Sequence, residues 1–304
     1  MESPPTASTP PKASPSKGRV FANRMFSTVI LWGIMILAIV WDKPQMFVGV
    51  ALFFGLAGAI EYFLLLARDA EQRWFSGLGI GIAVGYWAAV LWHVFRTHTE
   101  PPLGFDIAAL IVAVQGAFLL CYRRGLEGEV TLQRVFATVF GVVYTVIFFG
   151  FIVRLMYFQS DGSGLHGGYL MMYLILVTKF SDMGAYTVGS LIGKHKMIPH
   201  ISPGKTWEGL LGAVLFSTAG TVLMLWWQPE ELAPLTWTHG LILVPILVFV
   251  AVTGDLAESI LKRCIAIKDT GHKFPGIGGI LDLTDSLLFT APVFYFYLSG
   301  VAGK

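Results

Sequence analysis

The chain has 304 residues, of which 55% are hydrophobic and 13% charged, with a mean hydropathy of +0.68. An ordinary soluble domain carries about 25% charged residues, so this chain lacks the charge to cover a water-facing surface. A net charge of +2 also leaves no basic face for nucleic acid.

In chain order, residues 1–24 come first, a tail rich in Pro, Ser, Thr, Ala and Lys. It has no hydrophobic periodicity and cannot bury enough apolar surface to offset its ordering entropy, so it is expected to be disordered and cytoplasmic. A signal peptide is not expected. Glu2 and five prolines stand where a basic region would be, and no small-residue cleavage site follows the apolar run at 26–41. Apolar runs able to cross a hydrocarbon core of about 30 Å then recur near 25–41, 45–67, 74–95, 104–122, 134–158, 168–192, 208–227, 238–260 and 282–300. Strand-like alternation is absent, and backbone groups in lipid must bond internally, so these are helices. The expected fold is an all-α, polytopic integral membrane protein with about nine transmembrane helices. Residues 25–167 form an N-terminal region of five spans and 168–304 a C-terminal region of four. Cys121 and Cys264 stand in no metal spacing and are too few for a disulfide framework.

Charge placement gives the orientation. With the tail inside, sixteen of the 21 basic residues fall in inner segments and four in outer ones, Lys179 alone lying within a span. Basic residues favour the cytoplasmic face. This predicts a cytoplasmic N-terminus, an external C-terminus and polar chemistry facing the cytoplasm, in a multi-pass protein of the inner (cell) membrane. The run Gly77, Gly79, Gly81 and Gly85 follows no strand, so it reads as helix packing rather than a dinucleotide fingerprint.

Charge within a span is costly and is normally partnered. In the first half, Glu61 is such a residue, with Arg68 or Arg73 within reach as partners. In span six, Lys179 and Asp182 lie three apart on one helix face, either as a self-neutralising pair or as the lining of a polar cavity. The segment from His200 to Gly209 contains Ser202, Pro203, Gly204, Lys205, Thr206 and Glu208 and reads as a turn entering span seven. Such a helix start attracts phosphate through its free N–H groups, hydroxyls and lysine. Its Gly-Lys-Thr is similar to part of a Walker A loop, but the upstream glycine and the preceding strand are missing.

Span eight ends in Asp255, Glu258, Lys262 and Arg263. Lys268 and Asp269 follow in a loop, and span nine opens with Asp282 and Asp285. Carboxylates from two helices, with few His or Cys, suit a hard cation such as Mg²⁺, and the surrounding lysines and arginine suit phosphates. Together these are parts of a phosphoryl or nucleotidyl transfer site.

At these residues the chain resembles the phosphatidate cytidylyltransferases (CDP-diacylglycerol synthases). The family signature runs S-x-x-K-R, four residues, K-D-x-G, then P-x-H-G-G-x-x-D-R-x-D. Here it reads Ser259 to Arg263, Lys268-Asp269-Thr270-Gly271, then Pro275 to Asp285. Ser202 to Gly209 and Ser181 to Tyr186 resemble two further family motifs, and the resemblance covers about 175–290. Ile277 stands where the family has His, and Leu283 where it has Arg. Neither side chain can hold phosphate or relay a proton, which points to altered substrate preference or weaker activity.

The resemblance implies that CTP and phosphatidate, or a similar lipid phosphate, give a CDP-lipid and pyrophosphate, in the membrane and with Mg²⁺; a second cation is left open. It makes residues 168–304 the catalytic region. It implies Asp255 and Asp282 as metal ligands, with Asp269 and Asp285 as second choices. Lys205, Lys262, Arg263 and Lys268 would hold phosphates, Ser202 and Thr206 would donate hydrogen bonds, and Lys179 and Asp182 would line the cavity. Glu208, within the 202–209 motif, and Glu258, immediately before Ser259, are further substrate-site residues. The partners are membrane lipids, the two substrates and, as an open alternative, a second copy of the chain; nucleic acid is excluded. The alternatives are a CTP-dependent transferase or kinase acting on an isoprenoid phosphate or alcohol, or an ion-coupled transporter with its acids at the midplane.

Overall fold

A computed structural model of the chain describes residues 44–67, 70–158, 165–265 and 279–302. The expected tail, the span at 25–41, Lys268, Asp269 and Ile277 lie outside these residues. The other eight expected spans are all helical. They are α1 (Pro44–Leu66), α2 (Ala70–Thr97), α3 (Gly104–Arg124), α4 (Glu129–Gly141) running on through a π-helical turn (Val142–Ile147) into α5 (Phe148–Met156), α6 (Leu165–Ile192), α7 (Trp207–Trp227), α8 (Trp237–Cys264) and α9 (Ile280–Val301). Among the described residues, six helical segments are long and apolar enough to cross a membrane: α1, α2, α3, the continuous α4–α5 rod, α7 and α8. The two outside that group, α6 and α9, are those that carry Lys179, Asp182, Asp282 and Asp285.

One element departs from the all-helical expectation. Residues Lys196–Ile198 (β1) and Ser202–Thr206 (β2) pair as an antiparallel hairpin, with Lys196 opposite Thr206 and Ile198 opposite Ser202. The run read as a turn into a helix is thus a strand that ends at Thr206, whose side chain caps α7 by accepting from the Gly209 N–H at 3.1 Å.

Helices in lipid gain little from apolar burial against one another, so close packing of small residues and interhelical hydrogen bonds must hold them. The α6–α7 pair shows this. A Cβ on Gly184 would stand 2.4 Å from the Gly212 carbonyl oxygen, and one on Gly212 would stand 2.6 Å from that of Gly184, so only glycine permits the crossing. Further along, Ser217 donates to the Val177 carbonyl at 2.9 Å, and the hydroxyls of Tyr173 and Thr221 meet at 3.2 Å. The main core joins the two halves of the chain: Phe63, Trp87, Tyr144, Phe149, Tyr173 and Phe294 are buried in one cluster.

At the end of the bundle away from the hairpin, Arg154 is wholly buried. Its guanidinium pairs with Asp106 at 2.7 Å and donates to the carbonyls of Pro101 and Pro102, each at 3.1 Å, while Tyr86 donates to Asp106 at 2.8 Å. Arg154, within the expected span 134–158, is a helix residue that staples the 101–106 turn. Breaking a buried pair from one side leaves an unpaired charge and costs about 3–5 kcal/mol. Arg154→Met should therefore lower the thermal unfolding midpoint in detergent sharply. The double variant Arg154→Met/Asp106→Leu should recover part of that loss.

Candidate active site

A cavity of about 410 Å³ opens where β2 and the start of α7 meet α6, α8 and α9. Each element contributes polar groups for a local reason. In α6, Lys179 and Asp182 sit one turn apart with Nζ and Oδ2 at 3.7 Å, and Lys179 also donates to the Leu283 carbonyl at 3.4 Å. From β2 comes Lys205, which reaches across to α8, pairing with Asp255 at 2.5 Å and donating to the Val252 carbonyl at 3.0 Å. Ser202 and Gly204 line the same wall, as do Asp282, Asp285 and Ser286 of α9.

Helices α8 and α9 can bring their acids together because of Gly254. A Cβ there would stand 2.8 Å from the Asp285 carbonyl oxygen and 3.2 Å from the Ser286 Cα, so the backbones touch beside Asp255 and Asp285. Carboxylate oxygens of Asp255, Glu258 and Asp285 consequently lie within 4.8 Å of one another. Behind them, Lys262 bridges Glu258 at 2.5 Å and Asp282 at 3.1 Å. Asp282 also accepts from the Gly279 N–H at 2.8 Å, closing the first turn of α9.

Five carboxylates (Asp182, Asp255, Glu258, Asp282 and Asp285) thus face three lysines (Lys179, Lys205 and Lys262). Of the Glu258 oxygens, Oε1 is buried with no hydrogen-bond partner among the described residues. An excess of acid in an apolar surround, with one buried oxygen idle, fits a divalent cation bound by oxygen ligands.

Most residues expected at a site do meet here: Lys179, Asp182, Ser202, Lys205, Thr206, Asp255, Asp282 and Asp285 line the cavity, with Glu258 and Lys262 directly behind. The pair read as metal ligands is split, however. Asp255 groups with Glu258 and Asp285, whereas Asp282 is engaged by Lys262 and by its own helix start. Glu208, read as a substrate-site residue, is engaged by the segment before β1. It accepts from the backbone N–H groups of Lys194 and His195 at 3.2 Å and meets His195 Nδ1 at 2.6 Å, bracing the hairpin. Arg263 is exposed at the end of α8. Ser286, which lines the cavity, carried no signal beyond its position after Asp285. Tyr144 carried none either; its hydroxyl is buried without a hydrogen-bond partner among the described residues, in the π-helical turn, an irregularity that often accompanies functional sites.

The chain is similar in sequence to known proteins. Residues 22–301 match the profile described as the Cytidylyltransferase family. The chain is 32% identical over 197 residues to the uncharacterized protein YnbB of Escherichia coli, covering 64% of either chain. It is 40% identical over 157 residues to the phosphatidate cytidylyltransferase of Mycobacterium leprae, covering 52% of this chain and 47% of that one. Against the phosphatidate cytidylyltransferase of Bacillus subtilis it is 34% identical over 181 residues, 60% and 64% of the two chains. The chain thus spans about half to two thirds of the length of these relatives. With the profile covering nearly every residue from the described helices to the cavity, the chain belongs to the cytidylyltransferase family.

Proposed function

We propose that the chain is a CTP-dependent nucleotidyltransferase acting on a membrane lipid phosphate, with phosphatidate as acceptor and CDP-diacylglycerol and pyrophosphate as products. The observation that carries this reading is the cavity lined by four carboxylates and two lysines, with Glu258 and Lys262 directly behind, at the ends of apolar helices. The names of the Mycobacterium leprae and Bacillus subtilis relatives support it. Asp255 lies nine residues before the end of α8, about 13 Å at 1.5 Å per residue, which suits a headgroup site entered from one membrane face. The family assignment weighs against a transporter.

In this reading an oxygen of the lipid phosphate attacks the α-phosphorus of CTP. The new P–O bond forms as the bond to the β-phosphate oxygen breaks, and pyrophosphate leaves with that electron pair. The attacking monoester is already ionised, so no side chain need remove a proton. Lys205 would exchange Asp255 for a phosphate oxygen, Lys179 would hold the lipid phosphate at the apolar side, and the Ser202 and Ser286 hydroxyls would orient phosphate oxygens. Asp255 and Asp285, with Glu258 Oε1, would hold Mg²⁺, in place of the Asp255–Asp282 pair expected from sequence. Bound there, the ion would neutralise charge on the phosphates. Asp282 would keep Lys262 and the start of α9 in place.

A second reading, with another lipid phosphate as acceptor, is favoured by one observation. Leu283, where the family motif has Arg, lines an apolar cleft with Val50, Phe54, Ile175 and Leu287, directly beside the phosphate-suited cavity. The nine-crossing topology, with the N-terminus and the cavity facing the cytoplasm, belongs to this proposal and rests on the placement of basic residues.

Purified protein supplied with labelled CTP, Mg²⁺ and either phosphatidate or an isoprenoid phosphate should label one lipid product. No product with either would contradict the reading. Asp255→Asn and Asp285→Asn should each lower turnover about 100-fold or more, the range seen when one preorganised electrostatic group is lost. Lys205→Gln should chiefly raise the KM for CTP. Topology is tested separately. A cysteine introduced at position 196 in the hairpin should react with a membrane-impermeant reagent from the cytoplasmic side alone, and labelling from outside would invert the proposed orientation.

A further inference from the structure

The N-terminal half supplies a group that the site's own motifs do not contain. Glu61, in α1, is only 3% exposed. Its Oε2 accepts from the backbone N–H groups of Ile280 at 2.6 Å and Leu281 at 3.3 Å, 219 and 220 residues away in sequence. Of the two arginines read as partners, Arg68 lies outside the described residues; among those described, Glu61 meets the start of a helix. One turn earlier in α1 is Gly58, where a Cβ would lie 3.7 Å from both Ile280 and Leu281 side-chain atoms, so α1 and the start of α9 are in direct contact.

The first four N–H groups of a helix have no partner within it. Here Asp282 takes that of Gly279 and Glu61 takes the next two. The turn so fixed carries Asp282, and the following turn carries Asp285. Both line the cavity, and Asp285 is one of the three grouped carboxylates. Glu61 itself is not among the described residues that line the cavity. A neutral acceptor would serve to cap a helix. A buried carboxylate whose second oxygen, Oε1, has no partner among the described residues is costly to keep for stability alone.

We propose that Glu61 is a positioning residue: by clamping the first turn of α9 from α1, it sets where Asp285 stands relative to Asp255 and Glu258. The proposal rests on the functional reading above. It also accounts for a feature that reading leaves aside. The start of α9 would otherwise be a phosphate-attracting helix end next to the cavity, and Glu61 occupies it, leaving Lys205 and β2 to receive the anionic substrates.

The test uses the full chain in detergent with three variants and two readouts. Glu61→Gln keeps an acceptor oxygen, Glu61→Leu keeps the approximate shape without one, and Glu61→Asp retracts the carboxylate by one methylene. The first readout is amide hydrogen exchange over the first turn of α9. The second is Mn²⁺ affinity, measured from the free ion by electron paramagnetic resonance. We expect Glu61→Leu to speed exchange at Ile280 and Leu281 and to weaken Mn²⁺ binding about tenfold, with Glu61→Asp intermediate and Glu61→Gln within about threefold of the parent. Should Glu61→Leu fail to fold, the order of parent, Gln and Asp variants decides in the same way. Unchanged exchange at α9 in the Leu or Asp variant would overturn the clamp. Faster exchange with Mn²⁺ affinity held would overturn its positioning role. A parent chain that binds no Mn²⁺ and transfers no CMP would instead refute the functional reading, and the exchange data would still decide the clamp.

Discussion

A carboxylate placed among apolar helices must be matched by a cation or by hydrogen-bond donors, because the surroundings cannot solvate it. The described part of this chain meets that requirement by several devices. Asp106 is met by a buried arginine, Asp255 by a lysine from a strand, Glu258 and Asp282 by one shared lysine, and Glu61 by the N–H groups of a distant helix. At one end of the bundle the pairing is complete and holds a turn. At the other it is left incomplete, and there the cavity opens.

Two small-residue contacts make the incomplete end possible. The Gly184–Gly212 crossing holds α6 against α7 and so fixes where the connecting hairpin emerges, which delivers Lys205 over α8. Gly254 lets α9 press against α8 beside Asp255. Each contact is a backbone approach that any side chain would block. The charged groups of four elements therefore converge through packing among residues that carry no charge themselves. The N-terminal half takes part in this through Glu61 and through the buried aromatic rings that pack on α9, such as Tyr144 against Phe289. It is more than a lipid-facing platform.

Much of this was legible in the chain. Hydropathy located the eight described helical segments, and six of them are both long and apolar enough to cross a membrane. Spacing of three and four put Lys179 with Asp182 and Glu258 with Lys262 on shared faces, and the structure pairs them so. What stayed hidden depends on rotation and distance between elements. Asp282 and Asp285 are equivalent by spacing, and only the α8–α9 contact decides that Asp285 turns toward Asp255 while Asp282 turns back to Lys262 and Gly279. Ser202 to Thr206 contains Pro and Gly, which argue for a turn, yet pairing with Lys196–Ile198 draws it into a strand. Glu208 in a helix-start motif was read as a substrate-site residue, and no local spacing announced that it also accepts from the backbone N–H groups of Lys194 and His195. Glu61 looked like a candidate for a nearby arginine, since no local pattern links it to residues 219 positions away.

The central claim is that the grouped acids Asp255, Glu258 and Asp285 of α8 and α9 form the seat of a divalent ion beside bound CTP. The most direct measurement is a crystal structure of the full chain with a non-reactive CTP analogue and Mn²⁺, the ion located by its anomalous scattering. The account predicts one ion liganded by Asp255 and Asp285 with Glu258 Oε1 toward it, and Lys205 moved from Asp255 onto the triphosphate. An ion held by Asp282, or a triphosphate bound elsewhere while Lys205 stays on Asp255, would contradict it.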